Sequence, residues 1–203
     1  MNVISIDFET ANRYRNSPCA VGIVVGDENG IIDEFYSLIN PLTDFEIHNI
    51  NVHGITEMDV MNAPTFKEIW PSIEPYLVDN IVVAHNASFD MSVLRATLDR
   101  FDIVYPDMQY FCSVMLAKQL WPGLPNYKLN TLADSKNISF SHHHALDDAR
   151  VVVHLLTEAM REKSKNSVIE LADSCQISSG KIFERSYITP KLRRKKKKSG
   201  IVR

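Results

Sequence analysis

The first apolar segment of the chain contains two carboxylates where a buried strand would continue with apolar residues. Residues 4 to 12 read ISIDFETAN, so Asp7 and Glu9 lie two positions apart. Side chains alternate along a strand, which sends both acids to the same face of a sheet, about 7 Å apart. An isolated pair of this kind is usually two solvent-facing residues on an edge strand. A functional interpretation therefore requires further acids directed at the same region.

Two predicted helices each begin with a carboxylate in line with their apolar residues. Asp90 and Asp148 each precede four such positions, at intervals of four, seven, eight and eleven residues. The two rows are Leu94, Thr97, Leu98 and Phe101, and Val152, Leu155, Leu156 and Ala159. Asp147 aligns with a row that turns polar, so Asp148 is the inward carboxylate. For either helix alone, an acid that complements the helix dipole is the simpler interpretation.

Four acids on three elements, all directed toward buried surface, need a counter-charge. Hard oxygen ligands in this number suit Mg²⁺ or Mn²⁺, and a pair of such ions is a known solution for displacement at phosphorus. His143, in the run HHH at 142–144, lies five residues before Asp148 and is placed to act as a general base. For three adjacent histidines, a solvated loop or an adventitious metal site is the alternative. We expect His85 and His53 to be structural, holding loops by hydrogen bonds.

Strand and helix patterns alternate along the chain after an antiparallel beginning. Strands are predicted at 3–8, 20–26, 31–39, 80–85 and 109–112, with a hairpin turn at 27–30. Helices are predicted at 64–77, 89–101, 113–120, 128–137 and 145–161. This order predicts an α/β fold with a mixed five-stranded sheet and helices on both faces. We expect one domain at 1–162 and an extension at 163–203 that includes a short helix near 167–175.

Composition limits the class of protein further. The chain has 203 residues and 45% hydrophobic content, which is enough for a core. Its three cysteines are widely spaced and odd in number, which argues against a disulfide framework or a zinc site. These cysteines predict a reducing compartment. No apolar run is long enough to span a bilayer, and we expect the chain to be cytoplasmic.

The charge distribution separates an acidic body from a basic C-terminus. The net charge is -3, but 8 of the 22 basic residues lie in 191–203, which leaves 14 against 25 acids in residues 1–190. We expect a linker from residue 189 onward and a disordered basic tail at 191–203. Such a run is either a solvated tail or an arm that attracts phosphates, and the two interpretations are compatible.

Three motifs occur in the order and spacing of a known family. They are DFET at 7–10, HNASFD at 85–90 and HHALDDA at 143–149, and they are accompanied by HGIT at 53–56 and YKLNTLA at 127–133. Over about residues 1–162 the chain resembles the DEDDh 3′-to-5′ exonucleases, the DnaQ-like group that includes the proofreading epsilon subunit of bacterial DNA polymerase III. Each motif alone is weak, whereas together they are strong. The resemblance implies a ribonuclease H-like fold with these residues at one end of the mixed sheet.

The resemblance also implies a role for each matched residue. It makes His143 the base that activates the attacking water and implies two divalent cations, Mg²⁺ or Mn²⁺, as cofactors. The implied metal ligands are Asp7, Glu9, Asp90 and Asp148. Thr10 would contact the 3′-terminal nucleotide through its backbone. The implied lining of the cleft near the terminal base is Phe89, His53, Gly54 and Ile55.

The function that the resemblance implies is release of nucleoside 5′-monophosphates from DNA 3′ ends, in proofreading or repair. Single-stranded or frayed ends are the expected substrates, because a terminal base has to be unpaired before it is held individually. The resemblance suggests a DNA polymerase subunit as the protein partner. We expect no membrane partner. Two alternatives remain open. One is an exoribonuclease of the oligoribonuclease or ribonuclease T kind, and the other is a non-catalytic nucleic-acid-binding or polymerase-tethering module.

Overall fold

A computed structural model of the protein describes residues 2–193. Its strands are β1 (Val3–Thr10), β2 (Pro18–Asp27), β3 (Gly30–Leu38), β4 (Ile81–Ala84), β5 (Met108–Cys112), β6 (Ile177–Ser178), β7 (Gly180–Phe183), β8 (Ser186–Ile188) and β9 (Lys191–Leu192). Its helices are α1 (Ile47–His53), α2 (Glu57–Val60), α3 (Phe66–Leu77), α4 (Ser88–Arg100), α5 (Ser113–Leu120), α6 (Leu129–Ser135), α7 (Ala145–Glu162) and α8 (Val168–Ser174). No helix in this described part of the chain is long and apolar enough to cross a membrane.

Seven of the strands form one mixed sheet in the order β3-β2-β1-β4-β5-β7-β8. β2 is antiparallel to both β1 and β3, whereas β1, β4 and β5 run parallel to one another. β7 and β8 then continue the sheet in antiparallel fashion beyond β5. β1 therefore lies between β2 and β4, and Asp7 and Glu9 belong to an inner strand rather than to an edge.

Helices cover both faces of this sheet, as the alternation of strand and helix patterns predicts. On one face α7 packs with α5, α6 and α8 around apolar side chains such as Val24 and Leu155. On the other face α3 and α4 pack around side chains such as Ile6 and Leu94. The predicted α/β class with a mixed sheet is confirmed.

The predicted number of five strands is wrong, because the C-terminal extension adds β7 and β8 to the sheet. All five predicted strands are present as β1 to β5. Gly180 allows β7 to join them, since it pairs with Tyr110 and a Cβ there would lie 2.5 Å from the Tyr110 ring. Strands of three or four residues carry too little alternation to be recognised from sequence.

The extension contains more regular structure than the sequence predicts. The short helix expected near 167–175 is present as α8. The expectation of a linker from residue 189 and a disordered tail from 191 is wrong at its beginning, because Lys191–Leu192 forms β9 against β6. The Arg193 guanidinium pairs with Asp173 and thereby anchors this strand to α8. The rest of the predicted basic tail, residues 194–203, lies outside the described residues.

A glycine opposite Asp7 lets α7 approach the sheet closely. Gly22 of β2 pairs with Asp7 of β1, and a Cβ at Gly22 would lie 2.4 Å from the backbone carbonyl atoms of Ala145. Ala145 is the first residue of α7, three residues before Asp148. The missing side chain therefore allows the first turn of α7, and the carboxylate it carries, to reach the strand that holds Asp7.

Gly22→Ala is expected to destabilise the protein by about 3 kcal/mol, because a methyl group that meets backbone has no flexible neighbour to displace. Urea unfolding followed by circular dichroism measures the change. Ser5→Ala is the control, since the Ser5 hydroxyl is buried without a hydrogen-bond partner and its removal should leave stability unchanged or raise it. A Gly22→Ala protein as stable as the parent would contradict the proposed close packing of α7.

Candidate active site

The four acids predicted from sequence converge at one end of β1. One carboxylate oxygen from each of Asp7, Glu9 and Asp148 lies within 4.8 Å of the others. Asp90 joins them from the first turn of α4, where its Oδ1 accepts a 3.2 Å hydrogen bond from the backbone N–H of Phe8. Its other oxygen, Oδ2, is buried and has no hydrogen-bond partner. The structure thus brings together Asp7 and Asp148, which are 141 positions apart in the sequence.

Burial raises the pKa of every acid in this cluster, and repulsion from the other acids adds to the shift for Asp7, Glu9 and Asp90. For Asp7 the pKa lies well above its usual value because of desolvation, followed by the charges of Asp90, Glu9 and Asp148. Burial, with Asp148 and Asp90, raises the pKa of Glu9 to about 8. Burial also raises the pKa of Asp90 to about 7, although the Phe8 N–H opposes the shift. These acids therefore carry an unbalanced repulsion once they ionise.

The donor set of the cluster fits divalent cations with hard oxygen preference. Within the described residues no lysine or arginine forms a salt bridge with any of the four acids, although the more distant charge of Arg15 opposes the rise in the pKa of Asp90. The unpartnered Oδ2 of Asp90 is a buried polar atom that lacks its usual compensation. Carboxylate oxygens in this number are the ligands that Mg²⁺ and Mn²⁺ prefer. Such ions would remove the repulsion and satisfy the orphaned oxygen together.

His143 lies on the loop before α7, beside Asp148, as the sequence predicts. Its backbone has a left-handed φ of 63°, and its ring stacks on His142 with centroids 3.9 Å apart. Partial burial and the neighbouring His142 lower the pKa of His143, while Asp148 opposes the shift. The imidazole is therefore neutral near pH 7 and able to accept a proton.

The other two histidines of the run differ from each other. His142, which sequence reasoning did not single out, has its Nδ1 3.2 Å from Oδ1 of Asp148. His144 turns away and stacks on Tyr36 with ring centroids 4.8 Å apart. A loop lacks the periodicity that separates inward from outward positions in a helix, so the sequence carries no signal that distinguishes these three residues.

His53 and His85 form the loop-holding hydrogen bonds that the sequence predicts. His53 Nδ1 accepts from the N–H of Ile55 at 3.0 Å, so its Nε2 carries the proton and donates to the Thr10 carbonyl at 3.1 Å. His85 Nδ1 lies 2.8 Å from the Ser113 hydroxyl, and burial lowers the pKa of His85 to about 4. His85 is therefore neutral at physiological pH.

A cavity of about 790 Å³ opens beside the acids. Its lining includes Asp7, Phe8, Glu9, Val52, His85, Asn86, Phe89, Val114, Lys118, Asn126, Tyr127, Lys128, Leu129, His142, His143 and Asp148. Phe89 thus lies where the sequence predicts, and the Arg15 guanidinium covers its ring at 4.3 Å. Thr10, His53, Gly54 and Ile55 are not part of this lining. Lys118, Lys128 and Val52 contribute to the wall without having been predicted.

Comparisons with known proteins identify the family. A family model described as an exonuclease family, RNase_T, matches residues 4–156. The PolC-type DNA polymerase III of Oceanobacillus iheyensis is 33% identical over 145 residues, which are 70% of this chain and 10% of the polymerase. The chain spans between 9% and 24% of the length of the curated relatives it matches. The chain belongs to the RNase_T exonuclease family, which confirms the predicted resemblance to DEDDh exonucleases.

Solved structures show the same ribonuclease H-like fold. Exonuclease X in complex with 5′ overhanging duplex DNA has a TM-score of 0.69 at 24% identity, covering 85% of this chain and 99% of its own. The nuclease domain of 3′hExo, a DEDDh family member bound to rAMP, has a TM-score of 0.70 at 15% identity, covering 82% and 94%. The fold predicted from the resemblance is confirmed.

The raised pKa values predict how the metal-free protein responds to pH. An acid with a folded pKa above its unfolded value binds its proton more tightly in the folded state. Its stabilising effect is complete below the unfolded pKa and is lost as pH rises through the folded pKa. For Glu9 this window extends from its usual value of 4.5 to about 8. In EDTA the melting temperature should therefore fall between pH 5 and pH 8.

Glu9→Gln is the matched test of this effect, because it keeps the shape of the side chain and removes its charge. We expect a shallower decline of melting temperature with pH in the variant, measured by differential scanning fluorimetry in EDTA. We also expect Mg²⁺ to raise the melting temperature less in the variant than in the parent. Identical pH profiles for the two proteins would show that Glu9 does not titrate in this range.

Proposed function

We propose that the protein is a 3′-5′ exonuclease that releases nucleoside 5′-monophosphates from DNA ends with two Mg²⁺ or Mn²⁺ ions. The observation that carries this proposal is the meeting of four carboxylates, one with an unpartnered buried oxygen, beside a neutral imidazole at the wall of an open cavity. Phosphodiester hydrolysis by two metal ions uses this combination of groups.

Asp7 lies among the other three acids, with an oxygen within 4.8 Å of Glu9 and Asp148. Asp7, Glu9, Asp90 and Asp148 are the residues that would hold the ions. The hydrogen bond from the Phe8 N–H fixes one oxygen of Asp90 and leaves Oδ2 available as a ligand. When bound, the ions would polarise the scissile phosphate and stabilise charge on the departing 3′ oxygen.

His143 is the proposed general base. Its lowered pKa keeps Nδ1 or Nε2 free to take a proton from the attacking water near neutral pH. The Asp148 carboxylate lies within 4.8 Å of a His143 ring nitrogen, so the imidazolium formed by this transfer has a negative charge beside it. The stacked His142 ring limits the orientations that the base can adopt.

The lining of the cavity favours the end of a nucleic-acid strand as the substrate. Phe89 offers an aromatic face at the wall, and stacking on such a face requires a base that is unpaired. This favours single-stranded or frayed 3′ ends over a continuous duplex. Thr10 would contact the terminal nucleotide through its backbone, and its carbonyl accepts hydrogen bonds from His53 and Asn49. His53, Gly54 and Ile55 would line the cleft near the terminal base.

The relatives support the direction of the reaction and the choice of DNA. One neighbouring structure is named a 3′-exonuclease, another holds a DNA duplex, and a relative is a DNA polymerase III. We therefore assign a proofreading or repair role, with a DNA polymerase as the proposed partner. The exoribonuclease alternative is less well supported, and the intact acid cluster argues against a non-catalytic module.

A 5′-labelled single strand should be shortened to a ladder by the purified protein in Mn²⁺, and EDTA should abolish the ladder. A 3′-labelled strand should release its label at once as a mononucleotide. Asp148→Asn is expected to lower the rate by about a thousandfold, and His143→Gln by about a hundredfold or more. Gel electrophoresis and chromatography of the product measure these changes.

Each of these variants has a neighbour that serves as its control. Asp147 bonds to Arg150 and His144 stacks on Tyr36, so Asp147→Asn and His144→Gln should retain most of the activity. Equal losses in Asp147→Asn and Asp148→Asn would contradict the assignment of Asp148 as a ligand. Activity that persists in EDTA would contradict the metal-dependent mechanism. Immediate release of the 5′ label, with a ladder from the 3′-labelled strand, would contradict the direction.

Lys118 and Lys128 are the cations of the cavity wall, and we assign them to phosphates upstream of the scissile bond. Replacing both with alanine should weaken hydrolysis of an oligonucleotide about tenfold and reduce its dependence on salt. Hydrolysis of thymidine 5′-p-nitrophenyl phosphate, which has no upstream phosphate, should be unchanged. Lys67→Ala, on the exposed surface of α3, is the control. Equal losses on both substrates would contradict the assignment.

A further inference from the structure

The histidine run creates a second set of metal-binding atoms beside the acid cluster. One donor atom from each of His142, His143 and Asp148 lies within 4.8 Å of the others. His142 Nδ1 is 3.2 Å from Asp148 Oδ1, and the two imidazole rings stack with centroids 3.9 Å apart and planes inclined by 22°. This set differs in chemistry from the carboxylates, because two of its three donors are nitrogen.

We propose that His142, His143 and Asp148 form an inhibitory site for Zn²⁺ or a similar late first-row cation. Binding of such an ion would occupy the ring nitrogen of His143 and take a carboxylate oxygen of Asp148 away from Mg²⁺. The inhibition rests on the proposed nuclease function, whereas the binding of the metal does not. His142 is the residue that makes the set complete; in the reaction it only positions the ring of His143, so each variant is compared with its own rate without Zn²⁺.

The donor set favours late transition metals over the ions proposed for catalysis. Imidazole suits Zn²⁺, Ni²⁺ and Cu²⁺, whereas Mg²⁺ prefers oxygen and retains water. Zinc bonds to nitrogen of about 2.0–2.1 Å in a tetrahedral site place neighbouring ligand atoms about 3.3 Å apart. The 3.2 Å between His142 and Asp148 already matches this spacing. The His143 ring nitrogen lies within 4.8 Å of the other two donor atoms and has to approach them to about 3.3 Å. A water molecule can provide the fourth ligand.

The position of the two imidazoles supports the same conclusion. Metal binding uses a ring nitrogen with a free lone pair, and one such atom of each ring lies within 4.8 Å of the Asp148 carboxylate. The exposed position of His142 leaves an open path for an ion from solvent.

Calorimetric titration of the full chain with ZnCl₂, in the absence of Mg²⁺, tests the site directly. His142→Gln keeps a hydrogen-bonding group beside Asp148 but removes the imidazole, and we expect Zn²⁺ affinity to fall at least about tenfold. His144→Gln is the matched control, because His144 faces Tyr36, and its affinity should equal that of the parent. Unchanged Zn²⁺ affinity in His142→Gln would overturn the proposal and place the ion among the carboxylates instead.

Inhibition is measured separately, with Zn²⁺ added to the Mg²⁺-supported hydrolysis of thymidine 5′-p-nitrophenyl phosphate. Each variant is compared with its own rate without Zn²⁺. His142→Gln should require at least about tenfold more Zn²⁺ for half-inhibition than the parent or His144→Gln. Zn²⁺ that binds through His142 without slowing hydrolysis would overturn the inhibitory role. If the parent hydrolyses nothing, the nuclease proposal fails, and the calorimetric comparison still decides the metal site.

Discussion

Four carboxylates are buried together around Asp7, at a cost in both desolvation and repulsion. Desolvation raises the pKa of Asp7 most, and the charges of Asp90, Glu9 and Asp148 raise it further. A fold that needed only stability would separate these groups or replace them with apolar residues. This fold instead holds them together with rigid elements, as is common at functional sites, where stability is given up for chemistry.

The scaffold resists this repulsion through contacts that lie next to each acid. β1 is an inner strand of the sheet, and Asp7 and Glu9 are fixed by their pairing with Gly22 and Ala20 of β2. Asp90 is held by the N–H of Phe8, one residue after Asp7. Asp148 is brought in by α7, whose first residue fits against Gly22. Each acid is thus positioned by backbone rather than by a flexible side-chain partner.

Much of this site could be predicted from the sequence, because helical periodicity reports the direction of a side chain. Asp90 and Asp148 head apolar rows, and both are buried against the sheet as that position predicts. The same argument separates Asp148 from Asp147, which pairs with Arg150 at the surface. The strands β1 to β5 are long or apolar enough to be recognised in the same way.

The remaining features lack such a signal. Helix α1 has no buried residue, so it has no apolar stripe to identify it. Strands β6 to β9 are two to four residues long and depend on pairing with distant segments. The roles of His142, His143 and His144 depend on the path of one loop, and the cavity wall of Lys118 and Lys128 depends on how α5 and the loop before α6 meet. Tertiary contacts decide these features, and local sequence does not record them.

Asp7 and its neighbours are proposed to bind a pair of divalent cations. Anomalous diffraction from crystals grown with Mn²⁺ and a nucleoside 5′-monophosphate would locate the ions. We expect two peaks about 3.5–4 Å apart, both within coordination distance of Asp7. Crystals with the nucleotide bound in the cavity and no peak beside Asp7 would contradict it.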